Sequence, residues 1–253
     1  MIWILLATSL QSAGEEKIGK EKAPAALRKC LGETVKKKGW HFAQTVKLTG
    51  PENQENKFDG VAKKDFAAAK GSAEIYAKGA SYLVHSNGKF VPPNQLSGTE
   101  AIRVGSFRNP ALFLSDAARL AVLASWGTDA EVDGRACKVA EFAADEPLLK
   151  DQIKEFTDNF KSQLKQVGNV MGYVDLKRSK SLYKIYLGKS DLLVHKVEWT
   201  LKPVIKENAF PPSAPVPQGL DKLEARTEVV LSKHDQELDV EIPKEIQQRF
   251  GVK

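Results

Sequence analysis

Cysteine is scarce in this chain, with two in 253 residues. Two cysteines exclude a disulfide-built miniprotein and any four-cysteine zinc site. No apolar run reaches the roughly 18 residues of a spanning helix, which excludes a polytopic membrane protein. The four histidines are His41, His85, His195 and His234. None stands three or four residues from another, and no His-Glu-x-x-His motif occurs, so metal-ligand spacing is missing. The Gly-x-Ser-x-Gly elbow, the phosphate loop and the dinucleotide glycine fingerprint are missing as well. Ser-x-x-Lys occurs from Ser86, Ser162 and Ser181. Only Ser162 and Lys165 fall on a helical pattern, and the charged surface around them solvates the lysine that a serine nucleophile needs buried. The residues therefore assign no catalytic group, no metal site and no cofactor, and the chain reads as a non-enzyme.

What is present is a globular composition, 42% apolar and 28% charged, which excludes wholesale disorder. Lys and Arg number 38 against 32 Asp and Glu, a formal charge of +6. The basic residues are interleaved with acidic ones, and the aromatics fall on the buried phase of strands. Nucleic-acid platforms place aromatics on the exposed phase among basic residues, so no nucleic-acid partner is expected. The excess suits a mild attraction to anionic envelope lipids or polymers.

The first ten residues, Met1 to Leu10, are uncharged and mostly apolar, and Ser12-Ala13-Gly14 precedes Glu15 and Glu16. An apolar core, small residues and then charge is the layout of a signal peptide, residues 1–14, cleaved before Glu15. No Lys or Arg precedes the apolar run, and a buried N-terminal strand or helix is the alternative. Residues 15–22 read as a polar linker, and residues 23–253 as one domain. A lipid anchor would need a Cys directly after the apolar core, whereas the first one is Cys30. In an oxidising space Cys30 and Cys137 either pair or stay as two buried thiols; closing so long a loop is worth roughly 4–5 kcal/mol in the chain-entropy model.

Periodicity then changes along the chain. Pro24 opens a helix on which Ala25, Ala26, Leu27, Cys30, Leu31, Thr34 and Val35 recur at helical spacing, ending at Lys36-Lys37-Lys38 and a left-handed Gly39 cap. Strand patterns follow at 40–48, 58–66, 71–78 and 81–91, with Asn87-Gly88 as a hairpin turn. Asn109-Pro110 starts a nearly charge-free helix closed by Trp126-Gly127, and Asp133-Gly134 turns a hairpin over 131–142. Leu149, Ile153, Phe156, Phe160, Leu164 and Val167 make one apolar stripe on a long amphipathic helix from Pro147. Mixed charge on its other faces favours docking on the protein over lying on a membrane surface. Strands return at 183–188, 193–201, 223–231 and 238–242, interrupted by a Pro-rich loop over 203–219. About ten antiparallel strands with three helices, not regularly alternating, predict an α+β fold.

This order of elements, with the phrases Ser190-Asp191-Leu192-Leu193-Val194-His195-Lys196-Val197-Glu198 and Val240-Glu241-Ile242-Pro243, resembles the LolA/LolB and LppX/LprG-like cell-envelope lipoprotein and lipid carriers. The resemblance spans residues 23–245. It implies a curved antiparallel half-barrel sheet with helices packed on the concave side, and an exported protein of the periplasm or cell envelope. It also implies that an apolar lipid or lipoprotein acyl chain is the ligand, held in a cavity between sheet and helices. Another envelope protein and transient contact with a membrane surface are the implied partners. Trp40, Phe42, Phe113, Leu120, Val197 and Trp199 are the expected wall residues. The helix at 147–171 and the Pro-rich loop stand outside the family pattern. The other reading is an envelope scaffold or protein-interaction module with a filled core. Ala111, Ala117, Ala118, Ala121 and Ala124 suit either, because small side chains leave space or let a helix approach a sheet closely.

Overall fold

A computed structural model describes residues 18, 20–50, 53–159, 170–207, 209, 219, 222–235 and 241–252. The stretches of period two become strands. They are β1 (Trp40–Thr49), β2 (Gln54–Lys63), β3 (Phe66–Gly71), β4 (Ile75–Lys78), β5 (Ser81–Ser86), β6 (Lys89–Val91), β7 (Ser125–Trp126), β8 (Ala130–Val132), β9 (Arg135–Ala143), β10 (Lys180–Gly188), β11 (Val194–Lys202) and β12 (Glu224–Ser232). The helices are α1 (Ala23–Val35), α2 (Gly98–Ser106), α3 (Pro110–Leu120), α4 (Glu146–Asn159) and α5 (Lys244–Phe250). Every strand pairing is antiparallel. Among the described residues no helix is long and apolar enough to cross a membrane.

The sheet is curved and does not close; its order is β6-β5-β4-β3-β2-β1-β12-β11-β10-β9-β7, with β8 paired to β9. Two meanders make it. One runs outward from β1 to β6, the other returns from β9 to β12, and the β1–β12 ladder joins them from His41↔Ser232 to Thr49↔Glu224. Alternation explains which side is covered. Trp40, Phe42, Gln44, Val46 and Leu48 point to the concave face and are buried, while Ala43 and Lys47 point outward. Helices α1 to α4 supply the other half of that core, with Leu27, Cys30, Ile102, Phe113, Leu120 and Ile153 among its members. This is the α+β half-barrel with helices on the concave side.

Two loops carry the geometry. Asn87 and Gly88, and Asp133 and Gly134, all have positive φ, as two-residue hairpins require. Gly60 sits opposite Phe42 and Ala69 in the two ladders around β2. A Cβ there would lie 2.1 Å from the Ala68 carbonyl and 2.8 Å from the Phe42 ring, so the close approach of β3 and the seat of that ring both need glycine.

Several expectations are corrected. The strand anticipated at 58–66 ends at Lys63, because Lys64 takes positive φ and turns the chain, and Phe66 opens β3 instead. Gly39 is not a left-handed cap: α1 ends on Lys36 in the right-handed region, and Asp235 holds the exit, pairing with Lys37 (2.6 Å) and accepting from the Lys38 N–H (3.0 Å). The helix from Asn109-Pro110 stops at Leu120, passes through a 3-10 turn at Ala121–Leu123, and Trp126 belongs to β7. Two helices were not anticipated. In α2 the pattern is broken by Gly98 and Gly105, and α5 shows only Ile246 and Phe250. Residues 241–243 are not strand; Pro243 precedes α5, while Leu238 and Val240 lie outside the described residues. Phe160, Ser162, Leu164, Lys165 and Val167 also lie outside them, as do residues 1–17. Ile18, near the end of the segment read as a linker, is buried in the core, and Trp126 Nε1 donates to the Glu21 carbonyl at 3.1 Å.

Helix α5 packs on the opposite, outer face. Ile246 and Phe250 meet Val61, Phe66, Ala68, Tyr76 and Leu83 in a separate cluster. The start of α3 is fastened from three sides by Asn109. Its Oδ1 accepts from the Ala111 N–H (3.1 Å), while its Nδ2 donates to the carbonyls of Asp65 (2.8 Å) and Gly79 (3.2 Å). Replacing Asn109 by Ala removes a helix cap and leaves the Asp65 and Gly79 carbonyls without its amide, so a loss of about 2–3 kcal/mol is expected in urea unfolding. A loss below about 0.5 kcal/mol would refute the role given to this side chain. Gly60→Val is expected to destabilise by more than about 2 kcal/mol in the same measurement.

Candidate functional site

The six expected wall residues all reach the concave face, and none is more than 5% exposed. All six belong to one buried cluster. Phe113 of α3 and Trp199 of β11 stand with ring centroids 6.2 Å apart. Phe42 belongs to a group around Phe107, which lies 6.3 Å from Phe42, 5.2 Å from Phe58 and 6.0 Å from Tyr82. Val197 lies between Ile185 and Val229 in the ladders of β11. Leu120 closes α3, and Trp40 opens β1.

A polar seam crosses this apolar face. Trp199 Nε1 donates to Ser181 Oγ (2.9 Å), Ser181 Oγ to Gln152 Oε1 (2.6 Å), Gln152 Nε2 to Tyr183 Oη (2.6 Å) and Tyr183 Oη to Asp116 Oδ2 (3.3 Å). The chain of bonds ties β10 and β11 to α4 and α3. The Arg108 guanidinium lies 4.6 Å from the Trp199 ring centre and forms an ion pair with Glu155 of α4. Burial raises the Asp116 carboxyl above the ordinary range, and Arg108 and the Tyr183 hydrogen bond offset part of that. Burial, with Asp116 adding, likewise pushes the Tyr183 phenol up. At the other end of the seam Asn56 Nδ2 donates to Ser106 Oγ (3.1 Å), and Gln44 Nε2 to the Arg108 carbonyl (3.2 Å). Gln44 Oε1, Thr227 Oγ1 and Trp40 Nε1 are buried, with no hydrogen-bond partner among the described residues. Such a group costs about 1–3 kcal/mol.

The Ser181 hydroxyl is committed within the seam, and Lys184 points to the other face, where it pairs with Glu141 at 2.9 Å. The two cannot act together, because positions three apart on a strand face opposite ways. Two clefts open on the outer face. One, of about 550 Å³, is lined by His41, Val61, Ala68, Tyr76, Lys233 and Glu241. The other, of about 400 Å³, lies over Thr45, Lys47, Glu198, Thr200, Arg226 and Glu228.

A second group of titratable residues gathers where the turn between β10 and β11 meets α1. Arg135 Nη1 donates to His195 Nδ1 (3.1 Å), and His195 Nε2 meets Asp191 Oδ2 (2.8 Å). Burial alone would raise Asp191, but His195 and the Leu193 N–H hold it below its ordinary value. A Cβ on Gly188 would fall 2.1 Å from Asp191 Oδ1 and 2.7 Å from His195 Nε2, so only glycine leaves room for the pair. The His234 ring packs edge-on to His195 with centroids 5.4 Å apart, and its Nε2 bonds the Val194 carbonyl (3.1 Å). Burial, then the neighbouring His195, lowers His234 to about 4. Cys30 and Cys137 are buried thiols with no disulfide between them, and Cys137 Sγ donates to the Arg135 carbonyl at 3.5 Å. Burial, with Asp191 adding, pushes Cys30 up to about 12 and Cys137 to about 11, which leaves them unreactive. Among the described residues no three His, Cys, Asp or Glu side chains could hold a metal ion.

No family profile matches the chain, and no curated protein matches it in sequence. Solved structures do. The chain is similar to LppX, a lipoprotein of Mycobacterium tuberculosis, at 10% identity over 87% of this chain and 98% of that one, with a TM-score of 0.45. LprF from Mycobacterium bovis aligns at 10% identity over 87% and 96%, with a TM-score of 0.39. A LolA-superfamily protein from Nitrosomonas europaea aligns at 11% over 89% and 97%, with a TM-score of 0.33. At these values the functional argument rests on this chain's own residues.

Arg108, Asp116, Gln152 and Tyr183 were not singled out from sequence. Gln44 and Thr227 did leave a signal there: each is a polar residue on the buried phase of an alternating strand. The low value of His234 makes stability depend on pH. The unfolded ring takes a proton near pH 6.5 and the folded one near 4, so stability is complete above pH 6.5 and declines as the pH falls towards 4. His234→Gln is expected to flatten that decline in urea midpoints measured between pH 7 and pH 4. An unchanged slope would refute the assignment.

Proposed function

We propose that this protein is an exported, non-enzymatic carrier that binds an apolar, lipid-like ligand between the concave face of its sheet and helices α2 to α4. The observation that carries the reading is the continuity of that face. Phe58, Val46, Val229, Val197, Ile185 and Phe142 extend an apolar surface across successive strands, roofed by short helices. The polar seam fixes one seating of α3 and α4 on the sheet, and the carrier reading requires these helices to lift from that seating and return to it. The bonds of that seating are Arg108–Glu155 and Gln152–Tyr183. Trp40, Phe42, Val197 and Trp199 are then the sheet surface that a hydrocarbon tail covers, Phe113 and Leu120 are the side of α3 that faces it, and the described form is the closed one. Val122 and Leu123, 64% and 52% exposed just after α3, supply an apolar edge at the roof for transient contact with a membrane or an envelope partner.

Residues 1–14 are proposed as the signal removed on export, residues 15–22 as the segment leading into the single domain 23–253, and the periplasm or cell envelope as the destination. In that oxidising space Cys30 and Cys137, two separate buried thiols in the described structure, either stay so or are oxidised to a pair. A filled-core scaffold is the second reading, and one observation favours it: the wall residues are packed, while the described clefts lie on the outer face.

Protein purified from an exporting host decides between the two. The carrier reading expects a mass beginning at Glu15, and a further loss of two hydrogens would report pairing of Cys30 with Cys137. It also expects saturable binding of the fluorescent fatty acid cis-parinaric acid with transfer from Trp199, weakened about tenfold in Phe113→Trp, which narrows the space beside that indole. Absence of both co-purified lipid and parinarate binding would leave the filled scaffold standing.

A further inference from the structure

We propose that the ligand bears a hydroxyl group, and that Gln44 and Thr227 receive it at the centre of the concave face. This deepens the carrier reading and rests on it. The two residues belong to adjacent strands. Gln44 pairs with Val229 and Val46 with Thr227, so Gln44 and Thr227 are diagonal neighbours on one face. They are 1% and 3% exposed. Gln44 Nε2 is committed to the Arg108 carbonyl at 3.2 Å, which sets the orientation of the amide and directs Oε1 elsewhere. Thr227 stands directly opposite Trp199, whose indole N–H is already committed to Ser181. What remains is one carbonyl oxygen and one hydroxyl, both buried and both without a partner among the described residues. Their neighbours in the ladders, Val46, Val229, Phe58 and Leu201, offer no side-chain hydrogen bond.

The chemistry of the pair selects its guest. Gln44 Oε1 only accepts, so it calls for a donor, which a carboxylate or an ester cannot supply. Thr227 Oγ1 donates or accepts. A single hydroxyl satisfies both at once, donating to Gln44 and accepting from Thr227. Apolar rows on either side of the pair suit hydrocarbon attached to that hydroxyl. The class is therefore a hydroxyl-bearing acyl lipid or long-chain alcohol. A bare hydrocarbon chain would leave both oxygens unpaired.

The test is displacement of cis-parinaric acid from the full exported chain by 1-dodecanol and by 1-methoxydodecane, which retains the oxygen but loses the donor. The expectation is that the alcohol displaces at about tenfold lower concentration than the ether. Thr227→Val, which is isosteric, and Gln44→Met, which keeps the length of the side chain, are each expected to bring the two competitors within about twofold. Thermal midpoints show that the variants are folded: that of Thr227→Val should equal or exceed the parent's, while that of Gln44→Met, which also loses the bond to the Arg108 carbonyl, should lie somewhat below it. Equal displacement by the two competitors in the parent overturns the proposal on its own, without needing either variant. A preference that survives in both variants also overturns it, since an ordered water or other groups would then be serving these oxygens. If parinarate itself does not bind, the carrier reading fails; if it binds and the competitors are equal, only the hydroxyl assignment fails.

Discussion

The β1–β12 ladder is the constraint on which everything else depends. It joins the first strand of one meander to the last strand of the other, which are separated by most of the chain, and it continues the buried face of β1 through β12 to β11 and β10. Without it there would be two small sheets, each with an apolar face too narrow to occupy three helices. With it there is one broad curved face, and α1, α3 and α4 have somewhere to bury their stripes. The long-range character of this pairing carries an entropic cost that local hairpins do not. It is met by the nine-residue register from His41 to Thr49, in which every second side chain is buried.

Two kinds of helix attachment follow from the residues on each helix. The inner side of α1 is almost wholly apolar, and its one polar buried residue, Thr34, donates to the Cys30 carbonyl (2.8 Å) while accepting from the Val194 N–H (2.9 Å). That is the attachment of a permanent part of the core. Helices α3 and α4 meet the sheet partly through Asp116, Gln152 and the Arg108–Glu155 pair. Polar bonds of this sort add little net stability when water competes for them, but they specify one seating. The contrast between the two attachments is the physical basis for treating α2 to α4 as a roof and α1 as a wall.

The cluster of Arg135, Asp191, His195 and His234 serves a different end. It closes the turn between β10 and β11 against the tail of β12, and Gly188 makes room for it. The lowered His234 bears on the stability of the fold between pH 6.5 and about 4, not on the concave face. The buried thiols beside it are inert as nucleophiles for the same reason that His234 resists protonation: both environments penalise charge.

Much of the architecture is legible in the residues alone. Alternation from Trp40 to Leu48, from Tyr183 to Leu187 and from Ala225 to Leu231 reports local burial, and period two is a property of the backbone. The Asn87-Gly88 and Asp133-Gly134 turns are equally local, since positive φ is a property of those residue types. Helix α5 was hidden because its two apolar residues are too few to show a period, and its seat on the outer face comes from Val61, Ala68 and Tyr76, far away in the chain. The seam was hidden for the same kind of reason. Nothing in the order of residues says that Ser181 will meet Gln152, or that Arg108 will lie over Trp199. Sequence by itself determined the hairpin turns and which face of each long strand is apolar, because those depend on neighbours one to four residues away. Only the tertiary structure decided that Gln44 and Thr227 share a face with no partner among the described residues, because that depends on which strands pair and in what register.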